Sequence, residues 1–189
     1  MEKRYEMRFS GSGGQGVILA SVIFAEAAII SGINAIQSQA YGPEARGGLC
    51  KAETIVSEGD IWFSKVTKPL FLLSLTQASL NQFAPSLTEG GIILADAGLK
   101  KPEGVADESI VFLPILATAS EVVGKAFTAN IVAVGAINKL LGLFSEEVLN
   151  AAVMRHVPKG TEALNTRALE AGRDLVSEEL AAKHKAVIS

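Results

Sequence analysis

The sequence predicts an α/β protein: a three-layer α/β/α sandwich with a mostly parallel but mixed sheet, followed by a C-terminal helical segment. Three observations carry that expectation. Up to residue 113, apolar runs of strand length alternate with segments of helical pattern. The first strand pattern, 4–9, passes through a glycine-rich turn, Ser10-Gly11-Ser12-Gly13-Gly14-Gln15-Gly16, directly into a long apolar stretch, 17–30. A short turn, Ser57-Glu58-Gly59-Asp60, separates two further strand patterns, 49–56 and 61–63, which such a link makes antiparallel. At 189 residues the chain supports one well-filled core and reads as a single domain over 1–189.

Taken in order, residues 4–9 alternate, with Tyr5, Met7 and Phe9 on one face and Arg4, Glu6 and Arg8 on the other. One face of that strand is therefore partly solvated or packed on polar neighbours. The stretch 17–30 is apolar nearly all round, as a helix buried on several sides is, and Gly32 is placed to stop it. Residues 33–37 form a second short strand, and 38–48 read as a loop. Residues 70–75 have buried-strand length, 77–83 a short helix ending before Pro85, 92–95 another strand with Asp96 at its end, and 110–113 a strand stopped by Pro114. Beyond that the pattern is helical: 118–124, 128–141, a helix started by Ser145 with Glu146 and Glu147 in its first turn, and a last surface helix over about 161–185.

Composition narrows the function classes. Hydrophobic residues make up 49% of the chain and charged ones 20%, a balance that hides much surface, part of it against partners. The apolar stretch 17–30 is interrupted by Ser21 and Glu26 and is too short to span a bilayer. The first six residues contain no apolar core of a signal peptide, so a cytoplasmic protein is expected. A net charge of −3 gives no pull toward nucleic acid or an anionic membrane. The single cysteine, Cys50, excludes an internal disulfide and a cluster ligated by this chain alone, and reads as a small core residue. The two histidines, His156 and His184, lack metal-ligand spacing.

Gly11, Gly13 and Gly16 satisfy the dinucleotide pattern G-x-G-x-x-G in a strand-to-helix setting. A dinucleotide site also wants an acid at the end of the second strand, and Ile36-Gln37-Ser38 offers none. Three readings stay open: an anion or cofactor phosphate held at the helix N-terminus, an NAD(P) site, or a turn whose glycines serve only close packing. The second constellation is Tyr41-Gly42-Pro43-Glu44-Ala45-Arg46-Gly47-Gly48, an aromatic, a carboxylate and a guanidinium between two turn-forming pairs. Glu44 and Arg46 form either a solvated local pair or part of a site, where the Arg46 fork suits a carboxylate or phosphate.

Together, Gly11-Ser12-Gly13-Gly14-Gln15-Gly16 and the Tyr41–Gly48 motif resemble the gamma subunit of the 2-oxoacid:ferredoxin oxidoreductases. The resemblance extends to Asn130 with Gly135-Ala136, and to the stretch from Asn165 through Ala168 to Gly172, so it covers essentially the whole chain. Where many members place an acid at the start of the central apolar strand, this chain has Lys68-Pro69-Leu70.

The resemblance implies a complex that converts a 2-oxoacid, coenzyme A and oxidised ferredoxin to acyl-CoA, carbon dioxide and reduced ferredoxin. Thiamine diphosphate, magnesium and iron–sulfur clusters would lie on alpha, beta and ferredoxin-like delta subunits, with none bound by this chain alone. The chain would then contribute architecture and part of a pocket through Gly11, Gly13, Gly14, Gln15, Gly16, Tyr41, Glu44 and Arg46, would contain no catalytic residue, and would be inactive by itself. Rivals from other classes are a free-standing nucleotide-binding oxidoreductase and a non-catalytic scaffold.

Overall fold

The computed structural model describes residues 3–39 and 49–188. Its centre is a six-stranded sheet in the order β2-β3-β1-β4-β5-β6. The strands are β1 (Arg4–Ser12), β2 (Asn34–Gln39), β3 (Leu49–Ser57), β4 (Phe71–Ser74), β5 (Ile92–Asp96) and β6 (Ile110–Leu113). β1, β4, β5 and β6 are parallel neighbours, while β3 runs antiparallel to β1 on one side and to β2 on the other. The sheet is thus mixed with parallel pairing in the majority, as expected.

Helix α1 (Val17–Ile30) crosses one face. There Met7, Phe9, Phe71, Leu73 and Leu94 meet Phe24, Ala27 and Ala28 in the main core, with the Phe9 and Phe24 ring centroids 5.7 Å apart. Burying such a side chain fully stabilises the fold by about 1.5–3 kcal/mol. The opposite face is covered by α2 (Gln77–Phe83), whose Leu80 and Phe83 sit on Leu72, Ile93 and Ala95. Alternate residues of β4 and β5 therefore feed two different cores, which is why both strands are apolar throughout.

After β6, the short α3 (Ile115–Ala117) widens into a π turn over Thr118–Val122, so the helical pattern read over 118–124 is only one irregular turn. Then come α4 (Ala129–Leu141), α5 (Glu146–His156), α6 (Glu162–Asp174) and α7 (Glu178–Ile188). Ser145 caps α5 through its side chain on the Val148 N–H, as its sequence setting foretold.

Three expectations need correction. Residues 61–63 form no strand, because both edges of β3 are already taken by β1 and β2. They belong instead to an extended segment tied to β1: Arg4 donates to the Phe63 carbonyl (3.2 Å) and Arg8 to the Val66 carbonyl (2.8 Å). The helix read over 161–185 is two helices, broken before Ser177, whose hydroxyl accepts the Leu180 N–H. Ser177-Glu178-Glu179 repeats the Ser145-Glu146-Glu147 start signal, so the break was readable.

Nor is α6 simply a surface helix. A Cβ added at Gly172 would lie 1.9 Å from the Val132 carbonyl oxygen, and one at Gly135 would lie 2.2 Å from that of Leu169. The glycines of the two downstream motifs thus face each other across one close helix crossing.

The polar face of β1 packs on polar neighbours. Arg8 is buried with Glu53 of β3 at 2.8 Å, donates to Ser86 Oγ at 2.6 Å, and lies over the Phe83 ring.

Candidate functional site

The glycine turn lies at the carboxyl edge of the parallel strands, beside the β1–β4 junction. There the chain connections diverge to opposite faces: α1 follows β1 over one face and α2 follows β4 over the other. Crevices at such switch points are where open α/β sheets bind ligands. β1 runs on through Ser12, so the first glycine of the motif, Gly11, is still in the strand, paired with Cys50.

The four glycines of the motif have different reasons for their residue type. A Cβ at Gly11 would meet Gln15 Oε1 at 2.5 Å and Val17 Cγ1 at 3.2 Å. Gly16, the residue before α1, has φ 71° and presses on Asn130 of α4, where a Cβ would lie 2.5 Å from Nδ2. Gly14 has φ +91°. Packing and turn geometry therefore account for these three. Gly13 is different: among the described residues a Cβ there would meet nothing within 4 Å, and its backbone is not left-handed.

The cap residue of α1, Gly16, has no side chain to offer its N–H groups. The first N–H groups of α1 have no acceptor within the helix. Among the described residues, the N–H groups of Gly13 and Gly14 have no hydrogen-bond partner either. The arrangement is a set of exposed backbone donors at the positive end of a 14-residue helix, and among the described residues nothing stands within 4 Å of a Cβ built at Gly13 or Gly14. Gln15 does not point a free amide into this space. Its Oε1 accepts the Ser12 N–H at 2.7 Å and its Nε2 donates to the Leu75 carbonyl at 3.4 Å.

Tyr41, Glu44 and Arg46 lie outside the described residues. Their flanks are informative. Gln39 ends β2 and Leu49 opens β3 opposite Ser12, so both attachment points of the 40–48 segment are on the edge that carries the glycine turn. Topology thus brings the residues flanking the second motif to the edge of the first, although 23 residues separate Gly16 from Ala40 in the chain.

An NAD(P) site fits this edge poorly. The strand whose end would supply the ribose-binding acid, β2, carries none, and β3 stands between it and β1. Asp96, at the end of β5, is engaged elsewhere: one carboxylate oxygen accepts the Gly98 N–H at 2.9 Å and the other the Leu116 N–H at 2.8 Å. Cys50 is half-buried and burial pushes its thiol above the ordinary range, the opposite of an activated thiolate.

Among the described residues no group of three or more His, Cys, Asp or Glu side chains could hold a metal ion, and no helix is long and apolar enough to cross a membrane. A separate cavity of about 490 Å³ lies at the far end of α4, bounded by Asn138, Phe144, Leu169 and the Arg173–Glu146 ion pair, and shares no residue with the glycine turn. Asn130 is the contact residue that the sequence reading matched to a motif without giving it a role; a helix-borne amide 114 positions away carries no local signal of touching Gly16.

Comparison with known proteins bears on the same chain length. Residues 6–175 match the family described as pyruvate ferredoxin/flavodoxin oxidoreductase. The 2-oxoglutarate synthase subunit KorC of Methanocaldococcus jannaschii is 40% identical over 183 residues, covering 94% of this chain and 97% of that protein. The ketoisovalerate oxidoreductase subunit VorA of Methanothermobacter thermautotrophicus is 34% identical over 179 residues, covering 92% of this chain and 37% of that longer protein. The crystal structure of a keto/oxoacid ferredoxin oxidoreductase gamma subunit from Geobacter sulfurreducens PCA superposes with a TM-score of 0.80 at 44% identity, over 90% of this chain and 96% of that one. The chain belongs to the pyruvate ferredoxin/flavodoxin oxidoreductase family and is a gamma-type subunit of the 2-oxoacid:ferredoxin oxidoreductases.

Proposed function

We propose that this chain acts as the gamma subunit of a 2-oxoglutarate:ferredoxin oxidoreductase, and that its glycine turn receives a phosphate of coenzyme A. The choice of 2-oxoacid follows the KorC relatives, which match along nearly their whole length. Thiamine diphosphate, magnesium and the iron–sulfur clusters are assigned to alpha, beta and ferredoxin-like delta subunits in the cytoplasm. A chain with one cysteine cannot itself ligate a cluster.

The observation that supports the coenzyme A reading is Gly13. Among the described residues it has no close neighbour, and its backbone is not left-handed, so the lack of a side chain there supports an approach by a ligand. An anionic ligand at this point meets the Gly13 and Gly14 N–H groups and the dipole of α1. Arg46 and Tyr41, on the segment whose flanks Gln39 and Leu49 share this edge, would supply the fork and the aromatic face, with Glu44 beside them in the motif.

Gly13→Val in the reconstituted complex is the cleanest test. Gly14→Val is a poorer choice, because φ +91° would strain any side chain whatever the ligand does. The expected result is a coenzyme A KM raised roughly tenfold or more, the loss of one or two charge-assisted hydrogen bonds, with normal assembly. A variant that assembles and keeps the parental KM removes the glycine turn from the coenzyme A site.

A further inference from the structure

Gln15 occupies a rung of the sheet ladder that a backbone would ordinarily fill. Ser10 is the last β1 residue bridged to β4, opposite Ser74, and the Leu75 N–H donates to the Ser10 carbonyl at 3.0 Å. In a parallel ladder the next β1 residue whose backbone groups face β4 is two positions on, Ser12. Its N–H would then donate to the Leu75 carbonyl. Instead it donates to Gln15 Oε1 at 2.7 Å, and Gln15 Nε2 donates to the Leu75 carbonyl at 3.4 Å. The Ser12 carbonyl, in turn, accepts the main-chain N–H of Gln15 at 3.3 Å. Residue 15 thus takes both backbone groups of Ser12, while the chain after β4 turns away into α2 at its cap, Thr76.

Chemistry leaves little choice of side chain. The group must accept on one side and donate on the other, which a carboxamide does and a carboxylate, a thioether or an aliphatic chain does not. Gly11 leaves it room, since a Cβ there would lie 2.5 Å from Oε1.

We propose that Gln15 is a positioning residue: its carboxamide is a spacer rung that holds the carboxyl ends of β1 and β4 apart and keeps the Gly13–Gly14 turn facing the crevice. Its effect on coenzyme A rests on the reading of the glycine turn given above; the spacer itself does not.

The test uses the assembled complex carrying Gln15→Met, of similar length without the hydrogen bonds, and Gln15→Glu. Two quantities are followed: amide hydrogen exchange over residues 11–17, and the coenzyme A KM against kcat. Gln15→Met should exchange roughly tenfold faster there and raise KM by a similar factor with kcat nearly unchanged, as loss of two modest hydrogen bonds implies. Gln15→Glu should show the same defect at pH 8, relative to the parent at that pH. The defect should be relieved as pH falls and the carboxyl, once protonated, donates to Leu75. Parental exchange in Gln15→Met overturns the spacer, whatever KM does. Faster exchange with an unchanged KM supports the spacer and removes the coenzyme A reading. Should Gln15→Met fail to assemble, Gln15→Glu decides: a defect relieved at low pH supports the spacer, and one independent of pH overturns it.

Discussion

Gly172→Ala places one methyl group into a close crossing of two helices, α4 and α6. The added Cβ would lie 1.9 Å from the Val132 carbonyl oxygen and 2.8 Å from the carbonyl carbon. Relaxing the first contact to the ~3.3 Å at which carbon meets a carbonyl oxygen requires α4 and α6 to part by about 1.4 Å. Neither partner is the tip of a flexible side chain, so the helices themselves must move. A gap of that size forfeits much of the dispersion contact around it, where Ala168 and Leu169 pack in the main core with Val132 and Ala136.

Overpacking of this kind costs about 1–3 kcal/mol, from which the better helix propensity of alanine returns a little under 1 kcal/mol. A net loss of about 1 kcal/mol lowers Tm by roughly 2–4 °C in a chain of this size. Thermal unfolding followed by far-UV circular dichroism checks it. Gly135→Ala, 2.2 Å from the Leu169 carbonyl oxygen on the facing side, should act alike. The double variant should lose less than the two singles together, because helices already parted accept the second methyl more cheaply. A Gly172→Ala protein that melts with the parent would refute the close crossing.

Two further perturbations probe the same framework. Glu53→Gln leaves the Arg8 guanidinium buried without its charge partner and should cost about 3–5 kcal/mol in urea unfolding, whereas Arg8→Met with Glu53→Leu should recover most of that; equal losses in both would refute a charge-pairing role. His184 is buried, and desolvation, helped by the Lys183 charge, holds its pKa below the ordinary 6.5. The unfolded chain therefore binds the proton more readily, so this contribution to stability is complete above pH 6.5 and declines as pH falls toward the depressed value. Urea midpoints at pH 8 and pH 6 should show the decline, and His184→Leu should flatten it; an unchanged slope in that variant would assign the pH dependence elsewhere. Glu26, held low by Arg155 and then His156, adds its own loss only at more acidic pH, below the ordinary carboxylate value of 4.5.

What the sequence by itself determined is the set of features whose cause is local. The bounds of α1 at 17–30 follow from a largely apolar stretch between Gly16 and Gly32, those of β6 from a four-residue run before Pro114, and those of α2 from its cap and Pro85. The glycine turn was legible as a helix N-terminus for the same reason, and the combination of two short motifs was enough to indicate the family. The tertiary structure alone decided who pairs with whom. Residues 49–57 have the alternation of a strand, but which edges they meet depends on β1 and β2 arriving from 40 and 10 residues away, and once both edges are filled 61–63 have no partner left. The same holds within the glycine turn. From spacing, Gly11, Gly13, Gly14 and Gly16 look alike; only the packed molecule separates Gly16 against Asn130 and Gly11 against Gln15 from Gly13, which has no such neighbour among the described residues. Steric need is a property of neighbours distant in sequence, and no local pattern records it.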